Sequence, residues 1–335
     1  MTGYVVPFVA FPALTALAFN VMFGRLKSAG LRDGLAGHCL PGFVPSATSF
    51  PYAYPPPYTG VSLLDRILCP LIRFFQILMG SEESLSYLTY GIGIGAPLVL
   101  LPAVEACRTG QSLFLAFPVI WGIFTQVATV GAVFPLYWLT VIMTGGVKKT
   151  RTYPSSSFKQ AEAEAIVFGI TIGAAIPSVA MLMTDDPSII ALWQPYPAYV
   201  SIAQFLHLQF RPTSKYSHSG FRTMQVLYLG CLLVSSSVHI STIWPLLGNI
   251  GQAKAFLIPS LSPLDHAADM HVHVLEFLKW DILIAYSATA LALLWFAQSA
   301  MQLVGILVWY MIGIPLFGFG ATVMGVAIWK DDLFG

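Results

Sequence analysis

"LFLAFPVIWGIFTQVATVGAVFPLYWLTVIM" runs from Leu113 to Met143 without one charged side chain. As a single helix it would be about 46 Å long at ~1.5 Å per residue, against a hydrocarbon core of ~30 Å. It therefore reads as a membrane span longer than a crossing needs, tilted or kinked, with Pro135 as the natural break point. The pattern recurs along the chain. Of 335 residues 56% are hydrophobic and 9% charged, where a soluble domain carries about 25% charge. That excludes an ordinary soluble enzyme. A formal net charge of +1 gives no nucleic-acid partner.

Eight spans follow from the apolar runs, at residues 4–23, 87–107, 113–143, 165–184, 188–210, 223–247, 277–297 and 302–329. The first is a signal anchor, and the last is again overlong, with Pro315 inside it. Residues 61–80 carry Asp65, Arg66 and Arg73 among apolar positions, which fits an amphipathic helix in the interface. "PSATSFPYAYPPPYTG" before it (45–60) is an irregular loop. The expected fold is thus all-α: one polytopic transmembrane helix bundle over residues 1–335, of eight spans plus one interfacial helix. Lys and Arg in short loops set orientation. Arg25, Lys27 and Arg32, then Lys148, Lys149, Arg151 and Lys159, then Arg211, Lys215 and Arg222 follow alternate spans. This predicts a cytoplasmic loop at 24–86, a lumenal loop at 248–276 and lumenal termini. The cysteines, Cys39 in a loop and Cys69, Cys107 and Cys231 in or beside apolar runs, form no CxxC or Cys/His cluster, so no metal site is expected.

That topology gathers acids toward one side: Glu105, Asp185, Asp186, Asp265, Asp269, Glu276 and Asp281, with His266, His271 and His273. Most have ordinary explanations. Asp186 before Pro187 is a helix cap, Glu276 suits a first helical turn, and His271 and His273 do not share a helical face. Whether Asp185, Glu276 or His273 join a site stays open. Glu105 and Asp281 resist the ordinary reading better, because intramembrane acids usually face the bundle interior and mark function. Arg108, three positions after Glu105, offers a structural ion pair as the alternative. Gln126, in mid-span, needs a partner, and interhelical hydrogen bonding is its alternative.

Three segments carry a resemblance: "LLDRILCPLIRFFQILMG" (63–80), "LLPAVEACRTGQS" (100–112) and "FTQVATVGAVFPLYWLTVIM" (124–143). They resemble the fungal integral-membrane terpene cyclases of secondary-metabolite clusters, of the ascofuranone and ascochlorin type, and the related membrane epoxide hydrolases. The likeness covers 61–144 well and the C-terminal half loosely. It implies an epoxide substrate made by a separate flavin monooxygenase upstream, and chemistry carried by two intramembrane acids. Glu105 inherits one such role by motif, and Asp281 matches in type and rough position. The endoplasmic reticulum is the expected compartment.

The residues allow that chemistry. A terpenyl epoxide on a lipophilic tail, such as an epoxidised prenyl-phenol, partitions into the bilayer and can be taken from it. Opening needs a proton on the epoxide oxygen, which a carboxyl in apolar surroundings can keep and lend. Aromatic faces then stabilise the carbocation, with Trp121, Phe134, Tyr137, Trp138, Trp280 and Tyr286 as candidates. The expected site combines Glu105 and Asp281 as catalytic acids with Gln126, Trp121, Tyr137, Trp280 and Arg108 around the substrate, without metal or cofactor. Gln126 and Tyr137 should line the same pocket as Glu105. "MTDDPS" (183–188) lacks the further acids of a diphosphate-ionising motif, and no G-x-S-x-G elbow is present. The leading expectation is an epoxide-opening terpene cyclase. Alternatives are an epoxide hydrolase, a metabolite transporter and a sterol-isomerase-like lipid enzyme.

Overall fold

The computed structural model describes residues 5–28, 39, 58–153, 157–184, 186–265 and 268–331. Arg32, Asp185, His266 and most of the 45–60 loop lie outside them. The described residues are almost entirely helical, as the apolar runs require: in hydrocarbon each backbone N–H and C=O must be bonded within its own segment. The principal helices are α1 (Val5–Ser28), α2 (Ser62–Met79), α3 (Glu82–Ala106), α4 (Pro118–Ala128), α5 (Val130–Met143), α6 (Gln160–Thr184), α7 (Tyr196–Phe210), α8 (Phe221–Gly248), α9 (Met270–Leu294) and α10 (Ala300–Lys330). α2 is the expected amphipathic helix. Its Leu63, Leu64 and Ile67 are exposed, while Cys69, Ile72 and Gln76 turn inward.

Contacts at the helix ends sort the loops onto two faces. On face I, Arg108 bonds the Tyr153 carbonyl at 2.6 Å and Lys149 bonds Gln111 at 3.2 Å. The Gly220 N–H bonds the Phe158 carbonyl at 2.8 Å, and Lys330 lies 4.9 Å from the Phe296 ring centre. On face II, Arg25 reaches the carbonyls of Ser260 (2.8 Å) and Leu261 (2.7 Å), and Lys279 reaches Ala255 (2.8 Å). Cys39 and Cys69 form a disulfide there. The segment after α1 and the 249–269 segment therefore share a face, so the expectation that they lie on opposite sides fails.

The reason is the stretch 113–143. α4 and α5 do not make one span. They form a hairpin: Trp121 packs edge-on against Tyr137 with ring centres 5.5 Å apart, and the chain turns at Thr129 (φ 75, ψ 156). Arms of 11 and 14 residues reach about 16 and 21 Å, so the hairpin enters from face I, stops inside the bundle and returns. The 31-residue α10 does the same. Trp309 Nε1 donates to the Thr322 carbonyl at 2.9 Å, whereas a straight helix would hold those residues about 20 Å apart. The reversal is at Gly318 (φ 83, ψ 168). Both breaks miss the prolines: the turns sit at Thr129 and Gly318, not at Pro135 and Pro315. Irregular backbone at such depth is tolerated only where protein or a cavity surrounds it, and Gly318 lies against His239. α1, α3, α6, α7, α8 and α9 run from face to face, in place of the eight expected crossings.

Candidate active site

Asp281 lies in the middle of α9, 8% exposed. The tip of the first hairpin is pressed against it. The Gly131 N–H donates to Asp281 Oδ1 at 2.5 Å, with the Val130 N–H beside it. These are the first N–H groups of α5, which have no partner within their own helix. A Cβ on Gly131 would stand 2.7 Å from the Asp281 carbonyl oxygen, so glycine is what allows this approach. Thr129, a β-branched residue in a backbone region that is nearly glycine-only, costs ~1–3 kcal/mol. The hairpin is thus held in a strained turn where it meets the carboxyl.

Beside that contact is a cavity of about 530 Å³. Its polar groups come from Asp281, Gln126, Thr129 and Gln194, with Thr125, Ser178 and Tyr196, and Phe74, Phe75, Trp193 and Phe277 are among its aromatic residues. Among the described lining residues Asp281 is the only carboxyl, and no Lys, Arg or His is present. Val127 and Val179, 58% and 53% exposed, stand at the rim. They are apolar and lie within α4 and α6, so the mouth opens on the apolar flank of the bundle. Gln194 is 3% exposed, and neither amide atom has a hydrogen-bond partner among the described residues. Sequence reasoning missed it, although a Gln before Pro195 in "IIALWQPYP" is the kind of polar intrusion that singled out Gln126.

The other expected site residues lie elsewhere. Glu105 does not share this cavity. It belongs to a buried ion cluster at face I, bonded to Arg108 Nε at 2.9 Å and Lys330 Nζ at 2.7 Å. Arg108 also pairs with Asp331, which accepts from the Tyr228 hydroxyl at 2.5 Å. Burial alone would push the Asp331 carboxyl up, but the charges of Arg108 and Lys330 hold it at about 2. Asp331 and Glu105 in turn raise Arg108 above its ordinary value despite its burial. Two cations and two carboxylates leave no proton to lend, so Glu105 and Arg108 form a clamp joining α3 to the end of α10. Trp121 and Tyr137 line a smaller cavity between the hairpin and α7. Trp280 faces a third cavity, because neighbouring helical positions point about 100° apart. Trp138 donates to Thr289 (3.0 Å) and Tyr286 to the Ile94 carbonyl, so both pack the bundle. Of the expected set, the structure brings together Asp281 and Gln126.

An all-α bundle with helices long and apolar enough to cross a membrane, holding one carboxyl among the described residues of an apolar cavity, describes a polytopic membrane protein. The chain belongs to the CtvD domain family, which matches residues 6–333. It is 27% identical over 250 residues to the terpene cyclase ascI of Acremonium egyptiacum, covering 67% of this chain and 63% of that protein's length. It is 24% identical over 261 residues to the terpene cyclase janA of Penicillium janthinellum, covering 74% of this chain and 71% of the relative. No solved structure matches.

Proposed function

We propose that the protein is a membrane terpene cyclase of fungal meroterpenoid metabolism that opens a terminal epoxide on a prenyl chain and closes the chain into a ring. The observation that carries this is Asp281, a single buried carboxyl facing an apolar, aromatic-lined cavity. The names of both relatives support it. Asp281 gives its proton to the epoxide oxygen, and the C–O bond at the more substituted carbon breaks. The chain's double bond then attacks that carbon, and the last cation loses a proton back to the carboxylate. The Gly131 N–H and the positive end of the α5 dipole steady the carboxylate while the proton is away. Phe74 and Phe277 present ring faces to the cation without acting as bases. The substrate is a lipophilic epoxide, an epoxidised prenyl-phenol or a close analogue, made by an upstream flavin monooxygenase and entering from the bilayer.

The endoplasmic reticulum suits such a substrate. Face I carries Lys148, Lys149, Arg151, Lys159, Arg211 and Lys215, which makes it cytoplasmic under the positive-inside rule. The Cys39–Cys69 disulfide suits an oxidising lumen at face II. Microsomes given an epoxidised farnesyl-phenol test the reaction by product mass. Cyclisation leaves the mass unchanged, hydrolysis adds one water, and unaltered epoxide moved across vesicles would show transport instead.

A further inference from the structure

Toward face II, a second cavity of about 250 Å³ lies against the first, and Leu26 and Phe277 line both. Its character differs. Arg25, His273, Glu276 and Trp280 enter its wall. Glu276 is satisfied by Lys279 (2.9 Å) and the Ser260 N–H (2.6 Å). Arg25 is held over the Trp280 ring at 5.5 Å. His273 and Trp280 are 7% and 8% exposed, yet among the described residues His273 Nε2 and Trp280 Nε1 have no hydrogen-bond partner. An indole N–H can only donate, and leaving such a group buried and unpaired is costly.

We infer that this cavity is the head-group subsite of the same substrate, binding a planar, oxygen-bearing head between Trp280 and His273 while the apolar chain passes Phe277 to reach Asp281. The inference rests on the cavity beside Asp281 being the reacting site. The head's oxygens accept from Trp280 Nε1 and meet His273 Nε2, and the Trp280 and Phe277 rings suit a flat ring. His273 and Asp281 are eight positions apart on α9, about 12 Å. A molecule with a polar ring at one end and its reactive group at the other end of a chain spans that interval. A headless chain would fill only the first cavity.

Equilibrium binding of dodecylresorcinol, which has the head and chain but no epoxide, tests this on purified protein, with dodecane as the headless control. Trp280→Phe keeps a ring and removes the donor. It should weaken dodecylresorcinol about tenfold, the loss of one good hydrogen bond, and leave dodecane unchanged. His273→Phe should do likewise. Unchanged dodecylresorcinol affinity in both head-site variants, or an equal loss for dodecane, overturns the subsite. Displacement of dodecylresorcinol by excess phosphatidylcholine in the parent but not in Trp280→Phe would give the cavity to a lipid head group and also overturn it. The assay needs no turnover. Trp280-dependent binding in a protein that converts no epoxide would keep the subsite and sink the cyclase, and turnover without that dependence would do the reverse.

Discussion

Asp281 and Glu105 look alike in the sequence: each is an acid near the end of an apolar run. Their surroundings separate them. Asp281 meets backbone N–H groups and a cavity, while Glu105 meets Arg108 and Lys330. Lys330 is 225 positions away from Glu105, and nothing in a sequence pattern announces that pairing. Glu105→Gln should therefore cost stability, on the order of 3 kcal/mol for breaking a buried ion pair, and leave turnover per folded molecule within about twofold. Thermal unfolding in detergent beside a rate assay separates the two effects. The cluster also sets a pH window. The Asp331 carboxyl is held at about 2 when folded, below an unfolded value of ~3.9, so its contribution is complete above that value. It drains away as pH falls toward 2. Asp331→Asn should flatten that acid limb of the unfolding curve, and an unaltered limb would place the titration elsewhere.

At the scale of elements, the two hairpins decide the architecture. Helix, apolar length and the amphipathic α2 were legible, because hydropathy and period are local properties. The reversals were not. An uncharged run such as 113–143 suits a tilted crossing and a folded-back pair equally, and Pro135 and Pro315 are more conspicuous helix breakers than Thr129 and Gly318. "FGFG" at 317–320 held a usable clue, since glycine tolerates φ near 80°. "ATVG" at 128–131 held less, since its turn falls on Thr129 and its glycine serves close approach. Gly131→Ala should be poorly tolerated. Its Cβ would meet Asp281 backbone at 2.7 Å and carboxylate at 2.9 Å, a clash costing ~1–3 kcal/mol and displacing the hairpin tip. Thr129→Gly should instead raise stability by about 1 kcal/mol by relieving the turn, read as a higher unfolding temperature in detergent. A drop would show that the Thr129 side chain holds the turn.

At the scale of the molecule, one misjudged hairpin reverses α1 to α3 relative to α6 to α9, because it removes a crossing between α3 and α6. The basic segments 148–159 and 211–222 share one face, as expected, but the 24–86 loop belongs with the opposite face. A glycan acceptor placed at 258–262 should be modified and one at 213–217 should not. The reverse pattern would put face I in the lumen. The same geometry leaves Asp281 as the carboxyl reached from the bilayer, and that is the claim on which the account stands. Its most direct test is the rate of epoxide conversion per folded molecule in microsomes bearing Asp281→Asn, beside the parent and Glu105→Gln. Asn keeps an oxygen for the Gly131 N–H but has no acidic proton to give. The account predicts a loss of roughly a hundredfold or more in Asp281→Asn, with Glu105→Gln near the parent. Near-parental conversion by Asp281→Asn would contradict it.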